Sequence, residues 1–146
     1  MKSKPAEYGS HVTRMRTKRL AVIAIGGMVG AAARFKLAEA LPTKLGHFPW
    51  ATFWTNLSGS FLLGFVLIVL LERFPLARHV RLFVATGILG AYTTMSTYAV
   101  ETALLIKDDH ATTAALYGFG SFAAGVFLAY AGIAIARRTV GGMSPL

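Results

Sequence analysis

The chain has 146 residues, of which 55% are apolar and 14% are charged, with a mean hydropathy of +0.57; a water-soluble domain carries about 25% charged residues. Its 15 Lys and Arg against 6 Asp and Glu give a net charge of +9, but these charges lie at the chain ends and between apolar blocks, which argues against a nucleic-acid-binding domain. Because the chain has no cysteine, a disulfide framework, a thiol nucleophile and a cysteine zinc site are excluded, and the composition predicts a small polytopic membrane protein.

The apolar blocks predict four membrane-spanning helices, since one span needs about 20 mostly apolar residues. They are Leu20 to Leu41, Trp50 to Leu71, Leu82 to Ile106 and Ala111 to Ala136. Helices are expected because hydrocarbon leaves backbone polar groups to be satisfied within the segment, and the blocks are too long for the roughly ten-residue strands of a membrane barrel. The predicted organisation is a basic N-terminal tail at 1–19, an all-α transmembrane domain at 20–136 and a short C-terminal tail at 137–146.

Basic residues are distributed unequally between the two sides of the predicted spans. The two tails and the connection between the second and third spans carry eleven Lys and Arg, whereas the first and third connections with their flanks carry three. Cytoplasmic flanks are enriched in Lys and Arg. Both termini are therefore expected in the cytoplasm, with the chain in the plasma (inner) membrane, unless it inserts in both orientations.

The first span carries a small-residue face and a charge. Gly26 and Gly30 are four residues apart, a spacing typical of close helix packing in membranes. Arg34 follows, and a guanidinium near hydrocarbon is costly unless it is solvated or paired. It either extends to the interface or supplies positive potential to an aqueous vestibule.

The second span carries a polar face. Thr52, Asn56 and Ser60 are spaced four apart and share one side of the helix, with Gly64 at the next turn. An Asn inside a span must face protein or water, because its amide is costly to bury without partners. The face is interpreted either as interhelical hydrogen bonding or as the lining of an ion path.

The third span predicts a helix broken near the membrane midplane. Residues 86–98, TGILGAYTTMSTY, hold two glycines, which permit positive φ, and five Thr or Ser, which can bond freed backbone groups. A break at that depth exposes carbonyls that can hold a cation and a helix N-terminus that favours anions. Beyond it, Glu101 is either a functional intramembrane carboxylate or a hydrogen-bonded Glu near the interface.

In the fourth span Tyr117, Ser121 and Gly125 follow one another at single-turn spacing. Tyr117 and Ser121 are candidates for pore lining. The four histidines all lie outside the predicted spans, and no pair has metal-ligand spacing on a helix. No nucleophile–base pair or phosphate loop is present, so the chain is not expected to be an enzyme.

Together these segments resemble the Fluc (CrcB) fluoride channel family. The matching residues are Gly26-Gly27, Gly30-Ala31 and Arg34; Thr52, Asn56-Leu57, Gly59-Ser60-Phe61 and Gly64; and residues 86–98 with Glu101. The resemblance covers about residues 20–136. It implies a passive channel that exports cytoplasmic fluoride, built as an antiparallel dimer with two pores along the subunit interface and a structural sodium ion at its centre.

The resemblance also implies functional positions. The sodium ion would be held by the backbone carbonyls of Gly90 and Thr93, at the predicted break. The pore positions are Thr52, Asn56, Met95, Tyr98, Tyr117 and Ser121, supported by Arg34, Thr94 and Glu101. Fluoride is small and strongly hydrated, so amide and hydroxyl donors and the positive edges of aromatic rings would replace its water.

The chain departs from the family pattern in three respects. Met95 and Tyr98 stand where phenylalanines are usual, and Gly125 stands where a serine often continues the polar face. The strong charge bias favours one orientation, whereas families that insert both ways keep the bias small. The antiparallel partner is therefore either a second copy of this chain or a paralogous subunit, and in the second case this chain could carry a partly degenerate pore.

Two other function classes fit the sequence less well than a channel. A small multidrug-type exporter needs a carboxylate deep in the first span, whereas this chain has Arg34 there and Glu39 at the span's end. A membrane anchor or assembly subunit would explain the small-residue faces but not the polar third span.

Overall fold

The computed structural model describes residues 5–44, 46–72 and 78–141. Its helices are α1 (Pro5–Ala40), α2 (Trp50–Glu72), α3 (Arg78–Arg81), α4 (Gly90–Tyr92), α5 (Met95–Lys107) and α6 (Ala111–Gly141). A π-helical segment (Leu82–Leu89) joins α3 to α4. No strand occurs in the described ranges, and the prediction of an all-α protein is confirmed.

Within the described residues, three helical stretches are long and apolar enough to cross a membrane. They are Met15–Ala40 within α1, Trp50–Glu72, and Ala111–Val140 within α6. The chain is therefore a multi-pass helical membrane protein. The remaining predicted span, 82–106, consists of the π-helical segment, α4 and α5, each of which is too short to cross alone.

Helix α1 begins at Pro5, inside the predicted basic tail, rather than at the first apolar residue, Leu20. Tail residues such as Met15, Arg16 and Lys18 are good helix formers, so the helix continues beyond the apolar block. At 1.5 Å per residue its 36 residues measure about 54 Å, against about 30 Å for the hydrocarbon core. The basic part of α1 therefore extends beyond the membrane.

Helix α1 packs backbone to backbone against the π-helical segment. A Cβ at Gly87 would lie 2.9 Å from Gly26 Cα and 2.9 Å from Ile23 O, and a Cβ at Gly30 would lie 3.0 Å from Tyr92 N. These distances leave no room for any side chain. The small-residue face of the first span is therefore a helix contact.

Helices α2 and α6 run parallel to each other. A Cβ at Gly64 would meet the carbonyl of Ala129, and a Cβ at Gly125 would lie 3.6 Å from Ser60 Oγ. The residue numbers of α2 and α6 increase in the same direction along the contact, so successive turns of α2 meet successive turns of α6. The polar face of α2 therefore lies against the face of α6 that carries Tyr117, Ser121 and Gly125.

The helical path is interrupted at two threonines. Thr93 has φ −75° and ψ 155°, and Thr94 has φ −146° and ψ 118°, so both are extended between α4 and α5. Gly90 stays helical, with φ −65° and ψ −32°. Within the described ranges only Gly46 and Asp109 have positive φ. The two glycines of this segment, Gly87 and Gly90, therefore do not use the positive φ that glycine permits.

Candidate functional site

The amide of Asn56 holds the backbone of Thr94. Asn56 Nδ2 donates to Thr94 O at 2.9 Å, and Thr94 N donates to Asn56 Oδ1 at 2.8 Å. Both ends of the amide are therefore bonded to one peptide segment, which satisfies polar backbone groups that the interruption would otherwise leave unpaired. Asn56, expected to line a pore, first of all fixes the interruption between α4 and α5.

Two carbonyls before α5 lose their helical partners. The N–H of Thr94 donates to Asn56 rather than to Gly90 O four residues earlier. The N–H of Thr97 donates to Thr94 Oγ1 at 3.2 Å rather than to Thr93 O. Thr94 thereby caps α5. The carbonyls of Gly90 and Thr93 therefore do not accept from the N–H groups that would reach them in an unbroken helix.

The carboxylate of Glu101 joins α2 to α6. Thr52 Oγ1 donates to Glu101 Oε1 at 3.0 Å, and Tyr117 OH donates to Glu101 Oε2 at 2.6 Å. Tyr117 is fully buried, with the rings of Phe48 and Tyr98 at 5.3 Å and 5.2 Å between centroids. Each carboxylate oxygen thus has one hydroxyl donor, and the three side chains form a polar contact inside an aromatic cluster.

Tyr98 and Met95 share a face of α5 but have different environments. The hydroxyl of Tyr98 donates to Gly118 O on α6 at 2.7 Å, which fixes the direction of its half-buried ring. Met95 is 72% exposed on the surface of this single chain. The structure therefore places Tyr98, but not Met95, with Tyr117.

A cavity of about 490 Å³ lies between α1, α2 and the start of α5. Arg34 lines one wall, and Thr52, Thr55, Thr94 and Thr97 contribute hydroxyl groups. None of the described residues that line it carries a carboxylate. One positive charge among hydroxyl donors makes this cavity suited to an anion.

A second, smaller cavity of about 200 Å³ lies on the other side of Glu101, toward the loops that follow α1 and α5. Lys44, His47 and Asp108 line it together with Glu101. Thr52 lines the larger cavity and Glu101 lines the smaller one. The hydrogen bond between Thr52 and Glu101 therefore joins a lining residue of the larger cavity to a lining residue of the smaller one.

Ser121 lies one turn after Tyr117 on α6 and is 7% exposed. Its hydroxyl has no accessible surface and no hydrogen-bond partner within the described part of the chain. A buried hydroxyl is normally bonded, so this group is a free donor in the contact between α2 and α6.

Eight of the eleven predicted residues thus form two groups around α5, and Arg34, Met95 and Ser121 belong to neither. Gly90, Thr93, Thr94 and Asn56 surround the interruption, and Thr52, Glu101, Tyr98 and Tyr117 surround the carboxylate. Two further residues were not predicted: Thr55, which lines the larger cavity, and Phe48, whose ring packs on Tyr117. Thr55 falls outside the four-residue series of α2, and Phe48 lies in a connection, so no spacing signal marked either residue.

Comparisons with known proteins match these helices to one family. A family model described as "CrcB-like protein, Camphor Resistance (CrcB)" matches residues 21–133. The chain is 44% identical over 128 residues to "Fluoride-specific ion channel FluC 3" of Streptomyces avermitilis, with 88% of this chain and 63% of that protein covered. It is 39% identical over 125 residues to a fluoride-specific ion channel FluC of Thermus thermophilus, with 85% and 99% covered.

A third relative, the fluoride-specific ion channel FluC of Chlorobaculum tepidum, is 39% identical over 123 residues, with 84% of this chain and 98% of that protein covered. The chain spans just under two thirds of the Streptomyces relative and almost the whole length of the other two. All three are named as ion channels rather than enzymes. The family match and these identities place the chain in the Fluc (CrcB) fluoride channel family.

Proposed function

We propose that this chain is a subunit of a fluoride-selective channel through which cytoplasmic fluoride leaves the cell passively. The observation that carries the proposal is the cavity of about 490 Å³, which combines Arg34 with hydroxyl donors and is lined by Thr52, the residue that donates to Glu101. Fluoride is proposed as the ion because the relatives are named as fluoride-specific ion channels.

The chemistry of the cavity suits a small, strongly hydrated anion. Arg34 raises the local anion concentration, since a positive charge in a confined polar space attracts counter-ions. The threonine hydroxyls can replace water molecules around the ion, because each is a hydrogen-bond donor. Selectivity over larger halides would follow from the spacing of these donors and from the narrow contact at Thr52 and Glu101.

The proposal includes four membrane crossings. In this arrangement α3, the π-helical segment, α4 and α5 form the third crossing together, and Thr93 and Thr94 lie near its midplane. An extended backbone at that depth is tolerated where it is buried in protein or lines water, and the hydrogen bonds from Asn56 meet this condition. The charge bias favours cytoplasmic termini and insertion in the inner membrane.

A structural sodium ion fits the donor set at the interruption. Unwound carbonyls and half-helix ends coordinate sodium in membrane proteins, and the carbonyls of Gly90 and Thr93 have lost their helical donors to Asn56 and Thr94. The described residues contain no group of three His, Cys, Asp or Glu that could hold a metal. When bound, the ion would neutralise these carbonyl dipoles and fix the interruption.

Two carbonyls are too few ligands for a sodium ion, so we propose that an inverted second subunit contributes further ligands. The two pores would then run along the interface between the subunits. Large apolar side chains on α6 support such a partner, since Phe119, Phe122 and Phe127 are all exposed on the single chain. The second subunit is either another copy or a paralogue. The charge bias favours a paralogue, and Streptomyces avermitilis has relatives named FluC 2 and FluC 3.

The multidrug-type exporter has no comparable support. Such an exporter needs a carboxylate deep in the first span, and the acidic residue that comes nearest to this is Glu39 at the end of α1. Glu39 pairs with Lys36 at 2.9 Å, and both side chains are exposed. An exposed ion pair of this kind is a surface feature rather than a buried proton carrier.

A fluoride-electrode assay on liposomes that contain only this purified chain tests the proposal. We expect fluoride efflux above that of protein-free vesicles. Tyr117→Phe should slow it about tenfold, because it removes a donor to a charged group. Tyr130→Phe is the matched control, since Tyr130 is 69% exposed on the same helix. No efflux from the chain alone, and none after co-reconstitution with the paralogous subunit of the same organism, would reject the proposal.

A further inference from the structure

The face of α1 that packs against the π-helical segment continues into the basic part of the helix. Ile23, Gly26 and Gly30 make the backbone contacts with that segment. Counting back along the same face in steps of three and four residues leads to Arg19 and then to Arg16. Arg16 is exposed and Arg19 is half-buried. Both arginines therefore belong to the side of α1 that faces the π-helical segment.

Helix α3 brings two more arginines to the same level. Residue numbers increase in the same direction along α1 and the π-helical segment, so both begin at the same end of the molecule. Arg19 precedes the contact at Gly26 by about 10 Å of helix, and Arg81, the last residue of α3, precedes Gly87 by a similar number of residues. The four residues at this level, which we call the basic cluster, are Arg16, Arg19, Arg78 and Arg81.

The end of the molecule that carries the basic cluster has an excess of positive charge. Helix α2 runs back toward this end, because Arg34 late in α1 and Thr52 early in α2 line one cavity, and α6 is parallel to α2. Their last turns contribute Glu72 from α2 and the pair Arg137 and Arg138 from α6. Among the side chains that the structure describes, Glu72 supplies the one carboxylate at this end. The arginines therefore repel one another, and an anionic ligand would offset this repulsion.

The basic cluster lies at the boundary between polar and apolar sequence. Leu20 directly follows Arg19, Leu82 directly follows Arg81, and each leucine begins an apolar block. Leu20 is 67% exposed, so apolar surface continues from the arginines along α1. In a membrane this boundary lies at the depth of the lipid headgroups, where Lys and Arg attract anionic phospholipids.

We propose that the basic cluster is a binding site for the phosphate headgroup of an anionic phospholipid, in the leaflet where α1 enters the membrane. A planar guanidinium can donate two parallel hydrogen bonds to a phosphate, and the lipid's acyl chain would lie along the exposed apolar side of α1. Because the cluster combines α1 with α3, the lipid would tie the start of the interrupted third span to the first span. The site relies on the proposed third crossing, which puts α3 at the membrane surface, but it does not depend on fluoride conduction.

Native mass spectrometry of the full chain, purified in detergent, tests the site with phosphatidylglycerol and phosphatidylcholine as the probes. We expect wild type to bind phosphatidylglycerol more tightly. Arg16→Gln/Arg19→Gln should weaken this binding at least about tenfold, because one arginine near a membrane surface contributes about fivefold. Wild-type binding that does not distinguish the two lipids would reject the proposal.

The matched control is Arg137→Gln/Arg138→Gln, which removes the same charge from two exposed side chains at the same end of the molecule. Its affinity for phosphatidylglycerol should stay within about threefold of wild type, because charges outside a contact are screened. Equal losses in the two double variants would mean that the lipid is attracted by net charge alone, and they would overturn the site.

Lysine substitutions test whether the guanidinium groups matter. Arg16→Lys/Arg19→Lys keeps both charges but loses the bidentate geometry, so its affinity should fall between wild type and the glutamine variant. Affinity equal to that of wild type would contradict a phosphate held by paired hydrogen bonds.

The Tm of the same proteins in mixed micelles gives a second readout that also monitors folding. We expect all variants to have similar Tm with phosphatidylcholine, and phosphatidylglycerol to raise the Tm of wild type more than that of Arg16→Gln/Arg19→Gln. Inorganic phosphate at the concentration of the lipid should not reproduce this shift, because it has no acyl chain to lie along α1. An equal shift with inorganic phosphate would assign the cluster to a soluble anion and reject the lipid.

Discussion

The helical segments before and after Thr93 and Thr94 are held against their neighbours by different kinds of contact. The π-helical segment lies against α1 with glycine backbone touching backbone at Gly26 and Gly87. Helix α5 is held instead by hydrogen bonds that involve side chains. The backbone of its capping residue Thr94 bonds to the Asn56 side chain on α2, and the Glu101 carboxylate accepts from hydroxyl groups on α2 and α6. The first contact requires that no side chain stands between the two backbones, and the second requires polar groups that form hydrogen bonds.

The π-helical segment therefore acts as a structural scaffold, and the polar contacts of α5 belong to the candidate functional site. A contact between backbones has no adjustable side chain, so it fixes the position of the π-helical segment rigidly. A contact through hydroxyl, amide and carboxylate groups can exchange a protein partner for an ion or a water molecule. We therefore expect substitutions before Thr93 to affect folding first, and substitutions after Thr94 to affect conduction first.

The largest effect is expected where backbones touch. In Gly87→Val the first added carbon would lie 2.9 Å from Gly26 Cα, and the backbones would have to separate. Overpacking of this kind costs about 3 kcal/mol or more, so the variant should yield little monodisperse protein in size-exclusion chromatography. Gly27→Ala is the matched control, because its Cβ meets only Ala91 Cβ at 3.9 Å. Normal yield and normal Tm for Gly87→Val would show that this contact is not the scaffold.

An intermediate effect is expected at the amide that joins the two regions. Asn56→Ala removes both hydrogen bonds to Thr94 and leaves a buried N–H and C=O unpaired, at about 2–4 kcal/mol for the two groups together. Tm should fall and fluoride efflux should fall further than in any variant of the surface of α5. Thr102→Ala is the control, since its hydroxyl only bonds back to Tyr98 O within α5. An Asn56→Ala protein with wild-type efflux would remove the interruption from the proposed mechanism.

Sequence reasoning succeeded where a pattern has a direct physical cause. The helical class followed from long apolar blocks, and the packing role of Gly26 and Gly30 followed from their spacing. The conformation at the interruption did not follow, because the glycines stay helical while Thr93 and Thr94 become extended. The conformational freedom of glycine predicts that the helix is interrupted at a glycine. The position of the interruption depends instead on hydrogen bonds from Asn56, which is distant in sequence.

The candidate site shows the same division. The four-residue spacing put Thr52 and Asn56 on one face, and it put Tyr117 and Ser121 on another. It could not show that Thr52 and Tyr117 share Glu101, because that contact depends on three helices meeting. Nor could it show that α2 and α6 are in parallel register, which is what brings Ser60 to Gly125. Periodicity predicts faces, whereas tertiary packing decides which faces meet.

The smallest effect is expected at Tyr98, where the two kinds of contact can be separated within one side chain. Tyr98→Phe removes the hydrogen bond to Gly118 O but keeps the ring, its packing on Tyr117 and its positive edge. A single neutral hydrogen bond contributes about 1 kcal/mol, so Tm should fall by a few degrees.

Efflux from Tyr98→Phe vesicles should stay within about twofold of wild type, because the proposed contribution to anion passage comes from the ring edge. Tyr98→Leu keeps similar bulk without the ring and should be slower than Tyr98→Phe in the same fluoride-electrode assay. If Tyr98→Phe were as slow as Tyr98→Leu, the hydroxyl and its tether to α6 would be the part of Tyr98 that conduction needs. The polar contacts of α5 would then control the path through ring orientation as well as through hydrogen-bond donors.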